Sequence, residues 1–299
     1  MKEILVIGSS NTDMVIKTEK LPAPGETILG GKFLLTPGGK RANQAVAATR
    51  LGGKVTFCMK RGNDLFGNQT VGLLMREGID TRYVIKDDEL PSGVALIIVD
   101  SKGENSIVVA SGANSNLKPE DIPEELFDCG KFNAILLQLE IPLETVEYCA
   151  RRASECGMRV ILNPAPAQPL SNDFLSHITL ATPNETEAEA LTGISIEDES
   201  SAAQAAEILK SKGVKNVIIT LGEKGAYVDS FKFKGMVPGI KVNAVDTTGA
   251  GDVFNGALTV ALAEGLDHRE AVEYANRAAA ISVTRLGAQA SAPFRHELD

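Results

Sequence analysis

Residues 134–162 read AILLQLEIPLETVEYCARRASECGMRVIL. An apolar run of strand length (134–139) gives way to a segment of helical period (143–156) and then to a second apolar run (159–162). A helix between two short apolar strands is the unit that joins parallel strands, because a crossover of that length returns the chain to the same edge direction. Working outward, the same alternation occupies 4–7, 42–51, 55–59 and 65–77 on one side. On the other side it continues as a helix from near Glu185, another over 201–211 and a strand at 217–220. The expected fold is therefore α/β: a doubly wound, mostly parallel sheet flanked by helices, within a single domain over 1–299. Two stretches, 13–36 and 91–111, break the rhythm with alternating and β-branched residues and Pro-Gly turns. They are expected to pair as a small β-sheet lid over one end of the main sheet, two separate surface hairpins being the alternative. Residues 293–299 read as a short helical tail.

Composition narrows the classes of function. With 299 residues, 43% hydrophobic and 23% charged, the chain can bury a large core. No stretch approaches the roughly 20 apolar residues that span a bilayer. The start, MKEILVIGSSNTD, reads as a first strand rather than a signal peptide, so a cytoplasmic location is expected. Cys58, Cys129, Cys149 and Cys156 have no C-x-x-C spacing, and His177, His268 and His296 are scattered, which disfavours a disulfide framework and a zinc site. A net charge of -9 argues against a nucleic-acid surface. A nucleotide remains compatible, since helix N-termini and a metal ion hold phosphates without a basic face.

The stretch richest in chemistry is 246–256, DTTGAGDVFNG. It is expected to follow a strand-like run at 240–245 and to open a long helix through Leu262. Gly249 and Gly251 allow a tight turn and close approach of a ligand, and the first-turn N–H groups face an anion. Asp252 sits among those donors, with a plain helix cap as the alternative reading. Asp246 adds a second acid at the end of the expected strand, where open α/β sheets bind ligands. The chain has no Walker A loop, and Phe254 prevents a G-x-G-x-x-G fingerprint. Elsewhere, 8–13 can form an Asx-type turn, 37–43 opens an Ala-rich helix, and 182–185 resembles a capping box with Pro at the first helical position. Residues 220–225 can be a tight hairpin turn.

DTTGAGDVFNGAL resembles the C-terminal signature of the ribokinase-type (PfkB) carbohydrate kinases. The resemblance runs from Gly8 to Ser291 through GSSNTD, PGGKRANQAVAA, QLEIP, NPAPA, TPNETEAEALTG, TLGEKG and VTRLGAQ, in the family's order. It implies an ATP-dependent kinase for a small sugar, with D-ribose as the expected acceptor at its 5-hydroxyl. Deoxyribose, fructose or a nucleoside are the alternatives, and a non-catalytic sugar or nucleotide sensor is the reading from another class. By the resemblance Asp252 is the general base, and the N–H groups of Ala250, Gly251 and Asp252, after Gly249, form an anion hole. Asn11, Asp13, Gly39, Lys40, Asn43 and Glu140 are implied to hold the sugar. Asn184, Glu187, Thr220, Gly222, Gly225, Gly251 and Asn276 are implied on the ATP side, with Glu187 organising hydrated Mg²⁺. Asp246, Thr248, Ser282, Arg285, Gly287 and Ser291 match loops that bind a monovalent cation, K⁺. The resemblance and the exposed edges of the lid together imply a homodimer through the lid.

The chain departs from the family pattern at Arg41, where glycine is usual. If that position needs a backbone conformation open only to glycine, arginine is expected to weaken sugar binding. If Arg41 is helical and points outward, it is expected to cost little.

Overall fold

The computed structural model describes residues 3–102 and 104–298. From the N-terminus, β1 (Glu3–Ile7) leads into β2 (Asn11–Lys17) and β3 (Lys32–Gly38), then α1 (Lys40–Arg50), β4 (Lys54–Gly62), α2 (Leu65–Arg76) and β5 (Val84–Asp87). β6 (Gly93–Val99) and β7 (Asn105–Ala110) follow, and short 3₁₀ turns lead to β8 (Ala134–Leu137), α3 (Leu143–Glu155), β9 (Arg159–Leu162), α4 (Asn172–Ser176) and β10 (Leu180–Ala181). The remainder is α5 (Glu185–Thr192), α6 (Glu199–Ser211), β11 (Asn216–Thr220), β12 (Gly225–Asp229), β13 (Lys234–Pro238), α7 (Ala250–Glu264), α8 (His268–Ser282) and α9 (Ala288–Ser291).

The large sheet has nine strands in the order β13-β12-β11-β10-β9-β8-β1-β4-β5. It is parallel from β11 to β5, while β12 and β13 add an antiparallel edge. Chain order runs one way from β1 to β5 and the other way from β8 to β13, so the doubly wound expectation holds. Burial on both faces explains why the central strands are continuous apolar runs rather than alternating ones. Ile4 and Val6 pack into the core beneath α1 and α7, whereas Leu5 and Ile7 pack on the α3 and α6 side. No helix among the described residues is long and apolar enough to cross a membrane.

β2, β3, β6 and β7 form a separate four-stranded sheet in the order β3-β2-β6-β7. The stretches 13–36 and 91–111 thus meet in one sheet; Gly103 within the second lies outside the described residues. β2 leaves the large sheet only three residues after β1 ends, which places the small sheet at the C-terminal edge of the large one.

One contact fixes the helices that carry the site. A methyl group on Gly256 would lie 2.8 Å from the Ala47 Cβ and 2.8 Å from the Gln44 carbonyl oxygen, so α7 crosses α1 with almost no side chain between them. Ala45, Ala47 and Ala48 supply the thin face of α1 that this approach needs. Replacing Gly256 by a larger residue would force the helices apart at a typical overpacking cost of about 1–3 kcal/mol.

Two local expectations fail. Residues 240–245 are not a strand: Ile240, Val242 and Val245 are exposed, because among the described residues no strand lies beyond β13 to pair with this segment. The tail forms a single 3₁₀ turn over Arg295–Glu297, and Asp299 lies outside the described residues.

Candidate active site

The C-terminal ends of β1, β8, β9 and β10 and the N-termini of α1, α5 and α7 converge on one region. Asp252 is its centre. Helix α7 begins after Gly249, whose φ of 77° and tight contact with Ala288 demand glycine. The capping reading of Asp252 is overturned: Gly249 is the N-cap, and both oxygens of the Asp252 carboxylate look across to α1. Asn43 Nδ2 donates to Asp252 Oδ2 at 2.8 Å, and Gln44 Nε2 donates to Oδ1 at 3.0 Å. Burial pushes the Asp252 carboxyl up to about 6; Lys40 and the two amide donors oppose that rise, and Glu140 adds to it. A carboxyl poised there is mostly ionised at neutral pH yet basic enough to take a proton. Beside Gly251 the space is open, leaving the first-turn N–H groups of α7 accessible to an anion.

The residues expected on the sugar side gather around this carboxylate. Asn11 and Asp13 are in β2, so the Asx-turn alternative for 8–13 does not hold. Asn114 Nδ2 donates to Asn11 Oδ1 at 2.8 Å and to the Ser10 carbonyl at 3.0 Å, and the Ser10 N–H donates to Asn114 Oδ1 at 3.1 Å. That double clasp fixes the Asn11 amide, and Gly93 is required beside it because a methyl group would lie 2.2 Å from Asn11 Oδ1. Asp13 lies over Gly38, where a Cβ would come within 2.1 Å of its carboxylate. Burial first, then the charges of Glu140 and Asp252, push the Asp13 carboxyl up to about 6. Glu140 Oε2 accepts from Ser9 Oγ at 2.5 Å and from the Lys40 N–H at 3.3 Å. Gly39, at φ 89°, brings the start of α1 against Ser10 and Asn11. Glu140 comes three residues after β8 ends rather than at the strand's last position.

Several residues of this network were not singled out from the sequence. Gln44 Nε2 also lies 3.2 Å from Asn163 Oδ1, and Asn163 Nδ2 donates to the Thr182 carbonyl at 3.2 Å. Thr182 Oγ1 donates to Asn255 Oδ1 at 2.6 Å, and Asn255 Nδ2 donates to the Gly251 carbonyl at 2.8 Å. These side chains join α1, β9, β10 and α7 around Asp252. Asn163 directly follows the apolar run of β9 and is within reach of a strand-end reading; Asn114, inside the 3₁₀ turn at Gly112–Asn116, carries no sequence signal.

On the opposite flank, the capping box of α5 is Asn184 with Glu187, not Thr182 with Glu185, and Pro183 precedes the cap. The hydroxyl of Thr182 is instead engaged with Asn255. Burial raises the Glu187 carboxyl, the Asn184 N–H and Lys40 lower it, and Asp252 raises it, so Glu187 faces the same space as the base. The Thr220 N–H donates to the Pro183 carbonyl at 2.9 Å, and 222–224 form one 3₁₀ turn in the β11–β12 hairpin. Gly225 is required there, because a methyl group would lie 2.2 Å from the Val237 carbonyl. Asn276 Nδ2 donates to the Pro238 carbonyl at 3.1 Å.

Asp246 clamps two loops. Its Oδ1 accepts from the Thr248 N–H at 3.0 Å and its Oδ2 from the Gly287 N–H at 2.9 Å. Burial works against ionisation, but these bonds hold the Asp246 carboxyl below its ordinary value. The Ser282 and Ser291 hydroxyls donate to the Ala279 and Ala288 carbonyls, and Arg285 turns away to pair with Glu297 at 2.5 Å. A cation here would therefore rely on carbonyl oxygens and the spare lone pairs of Asp246.

Arg41 matches neither expectation made for it. It is helical, so the position strains no backbone, yet it points inward and is completely buried. Its side chain crosses Gly8, where a methyl group would lie 1.5 Å from Arg41 Cδ. A separate hollow of about 310 Å³, lined by Tyr148, Asp173, Phe174 and His177 among others, shares no residue with this site.

A buried carboxylate at the foot of an open helix N-terminus, facing a cluster of amides and carboxylates, is an arrangement able to take a proton from a hydroxyl beside an anion-binding turn. The model of the pfkB family carbohydrate kinases matches residues 1–295, and the chain belongs to that family. It is a sugar kinase. A ribokinase of Haemophilus influenzae is 46% identical over 99% of this chain and 97% of its own length. A deoxyribokinase of Salmonella typhi is 42% identical over 97% of this chain and 95% of its own. Among solved structures, the Arabidopsis thaliana ribokinase complexed with ribose and ATP is similar at 33% identity and TM-score 0.92, covering 100% of this chain and 98% of that one.

Proposed function

We propose that the chain transfers the γ-phosphoryl group of MgATP to the 5-hydroxyl of D-ribose, giving ribose 5-phosphate and ADP. The observation that carries this reading is the buried Asp252 carboxylate, held by Asn43 and Gln44 beside the open N-terminus of α7. Asn11, Asp13, Gly39, Lys40, Asn43 and Glu140 bind the sugar hydroxyls, and Asp252 takes the proton of the attacking one. The N–H groups of Ala250, Gly251 and Asp252 receive the charge of the migrating phosphoryl group. Asn184, Thr220, Gly222, Gly225 and Asn276 line the nucleotide side, and Glu187 orients waters of the Mg²⁺ that arrives with ATP. Asp246 and the carbonyls near Thr248, Ser282, Arg285, Gly287 and Ser291 would hold a monovalent cation, K⁺, whose charge would steady the turn before α7. The small sheet acts as a lid that excludes water from the acceptor.

The same reading makes the protein a cytoplasmic homodimer. One face of the small sheet exposes Ile16, Phe33, Leu35, Leu96 and Val108, which the strand registers line up side by side. An exposed apolar sheet face of this kind is what a second lid would cover.

The test is ADP release from MgATP with D-ribose, 2-deoxyribose, fructose and adenosine, each in K⁺ and again in Na⁺. A ribose-dependent, K⁺-stimulated signal is expected. Turnover with 2-deoxyribose but not ribose would reassign the acceptor, and silence with every sugar would overturn the reading.

A further inference from the structure

Arg41 heads the fully buried side chains by size, and its Nε, Nη1 and Nη2 make no hydrogen bond. A guanidinium taken wholly out of water is costly unless opposite charge lies near. Two residues of its own helix show where that charge is. One position before it, the Lys40 N–H binds Glu140, and two positions after it, Asn43 binds Asp252. Its stem crosses the chain at Gly8, just past the end of β1, and the next residue, Ser9, also binds Glu140. Burial lowers the Arg41 guanidinium to about 10, with Glu140, Cys149 and Asp252 acting the other way, so the cation persists at neutral pH.

The charged groups that face Asp252 are Lys40 and Arg41 from α1, Asp13 from β2, Glu140 after β8 and Glu187 from α5. Arg41 additionally faces the Cys149 thiol of α3, which burial keeps protonated. Three carboxylates in one acceptor site repel one another, and a neutral sugar entering would strip them of water and make the repulsion worse. A cation in direct contact would occupy the lone pairs that must receive sugar hydroxyls. A cation behind the floor, without hydrogen bonds of its own, leaves them free.

We propose that Arg41 is a positioning residue of the acceptor site, a fixed counter-charge beneath its floor that keeps Asp252 ionised when sugar displaces water. The proposal rests on the reading of Asp252 as the base of a ribose kinase. It is tested by the pH profile of kcat/KM for ribose in the wild type and in Arg41→Met, Arg41→Gly and Arg41→Lys, with the thermal midpoint of each. Two neutral variants are used because Met fills the channel over Gly8 and Gly empties it. The wild type should lose activity on the acid side near pH 6, where Asp252 titrates. In both neutral variants that limb should move up by about one pH unit, roughly a tenfold loss at pH 6 that fades toward pH 9. Arg41→Lys, which keeps the charge, should hold the wild-type limb. Neutral variants with the wild-type acid limb, or with a loss equal at every pH, would overturn the counter-charge, whatever their thermal midpoints. A wild type inactive on ribose at every pH would instead overturn the reading beneath it.

Discussion

The two halves of the site are built differently. On the proposed acceptor side Asn11, Asn43, Gln44, Asn114 and Asp252 are all less than a tenth exposed, and hydrogen bonds chain them to separate elements. On the proposed phosphate side, residues 239–249 have no regular structure and are mostly exposed, pinned chiefly where Val245 and Asp246 donate to the Val283 carbonyl and Asp246 accepts from Gly287. Packing and hydrogen bonds within the protein hold the groups proposed to discriminate and deprotonate a small neutral sugar. The groups proposed to meet a highly charged nucleotide have fewer internal partners, and the same reading leaves them to be ordered by ions. Pre-organisation is concentrated where the ligand brings least binding energy of its own.

The sharpest way to break that contrast is at its centre. Asp252→Asn should lower kcat by about 10²–10⁴ while the KM for ribose stays near that of the wild type. The same change should not destabilise the protein. The Asp252 carboxyl titrates at about 6 in the folded chain, above its ordinary 3.8, so its ionised form opposes folding at neutral pH. Removing the charge should raise stability at pH 7 by up to a few kcal/mol, less whatever is lost in re-pairing Asn43 and Gln44, and the gain should vanish toward pH 4. Steady-state kinetics and denaturant melts at both pH values check the pair of effects. A lower stability at pH 7 would mean that the acceptor side is held by this charge rather than by packing.

Next in size is Gln44→Ala. It removes one of two donors to the base and the link to Asn163, and should cost about tenfold in kcat at neutral pH. Because hydrogen bonds to the ionised form hold the Asp252 carboxyl down, losing one should also move the acid limb of the pH profile upward. An unchanged kcat and acid limb would show that Asn43 alone suffices.

How much of this could be read in advance follows the same division. The parallel sheet was legible because a buried strand must be an apolar run and a crossover must be a helix. The acceptor residues were legible mainly as motifs, since Asn11, Asp13 and Glu140 gain their meaning only when β2 and the segment after β8 face α7. Distant partners left no trace: Asn114 reaches Asn11 across 103 positions. At 240–245 the alternation of Ile240, Val242 and Val245 imitates a strand, but strands are made by neighbours, and none stands beside this segment. Arg41 was misjudged for the converse reason. A long charged side chain belongs outside by default, and only the missing side chain at Gly8, thirty-three positions earlier, opens a way in.

Smaller effects are expected on the phosphate side. Asp246→Ala should release the loop before α7 from Gly287, abolish any K⁺ stimulation of ADP release and lower kcat several-fold. The KM for ribose should not move, since no acceptor residue touches Asp246. A rise in ribose KM would merge the two halves and remove the basis of the comparison.

The smallest expected effect tests the edge of the nucleotide region. Asn276 is buried in α8, and its amide already donates to the Pro238 carbonyl at the end of β13. That bond closes the floor on which the proposed adenine pocket rests, so Asn276→Ala should raise the KM for ATP by about threefold and leave ribose untouched. The rival account is that the bond only ties α8 to β13. In that case the variant should lose about 1 kcal/mol of stability with an unchanged KM for ATP. Measuring both quantities separates the two, because a pin that merely holds an edge strand has no reason to distinguish one substrate from the other.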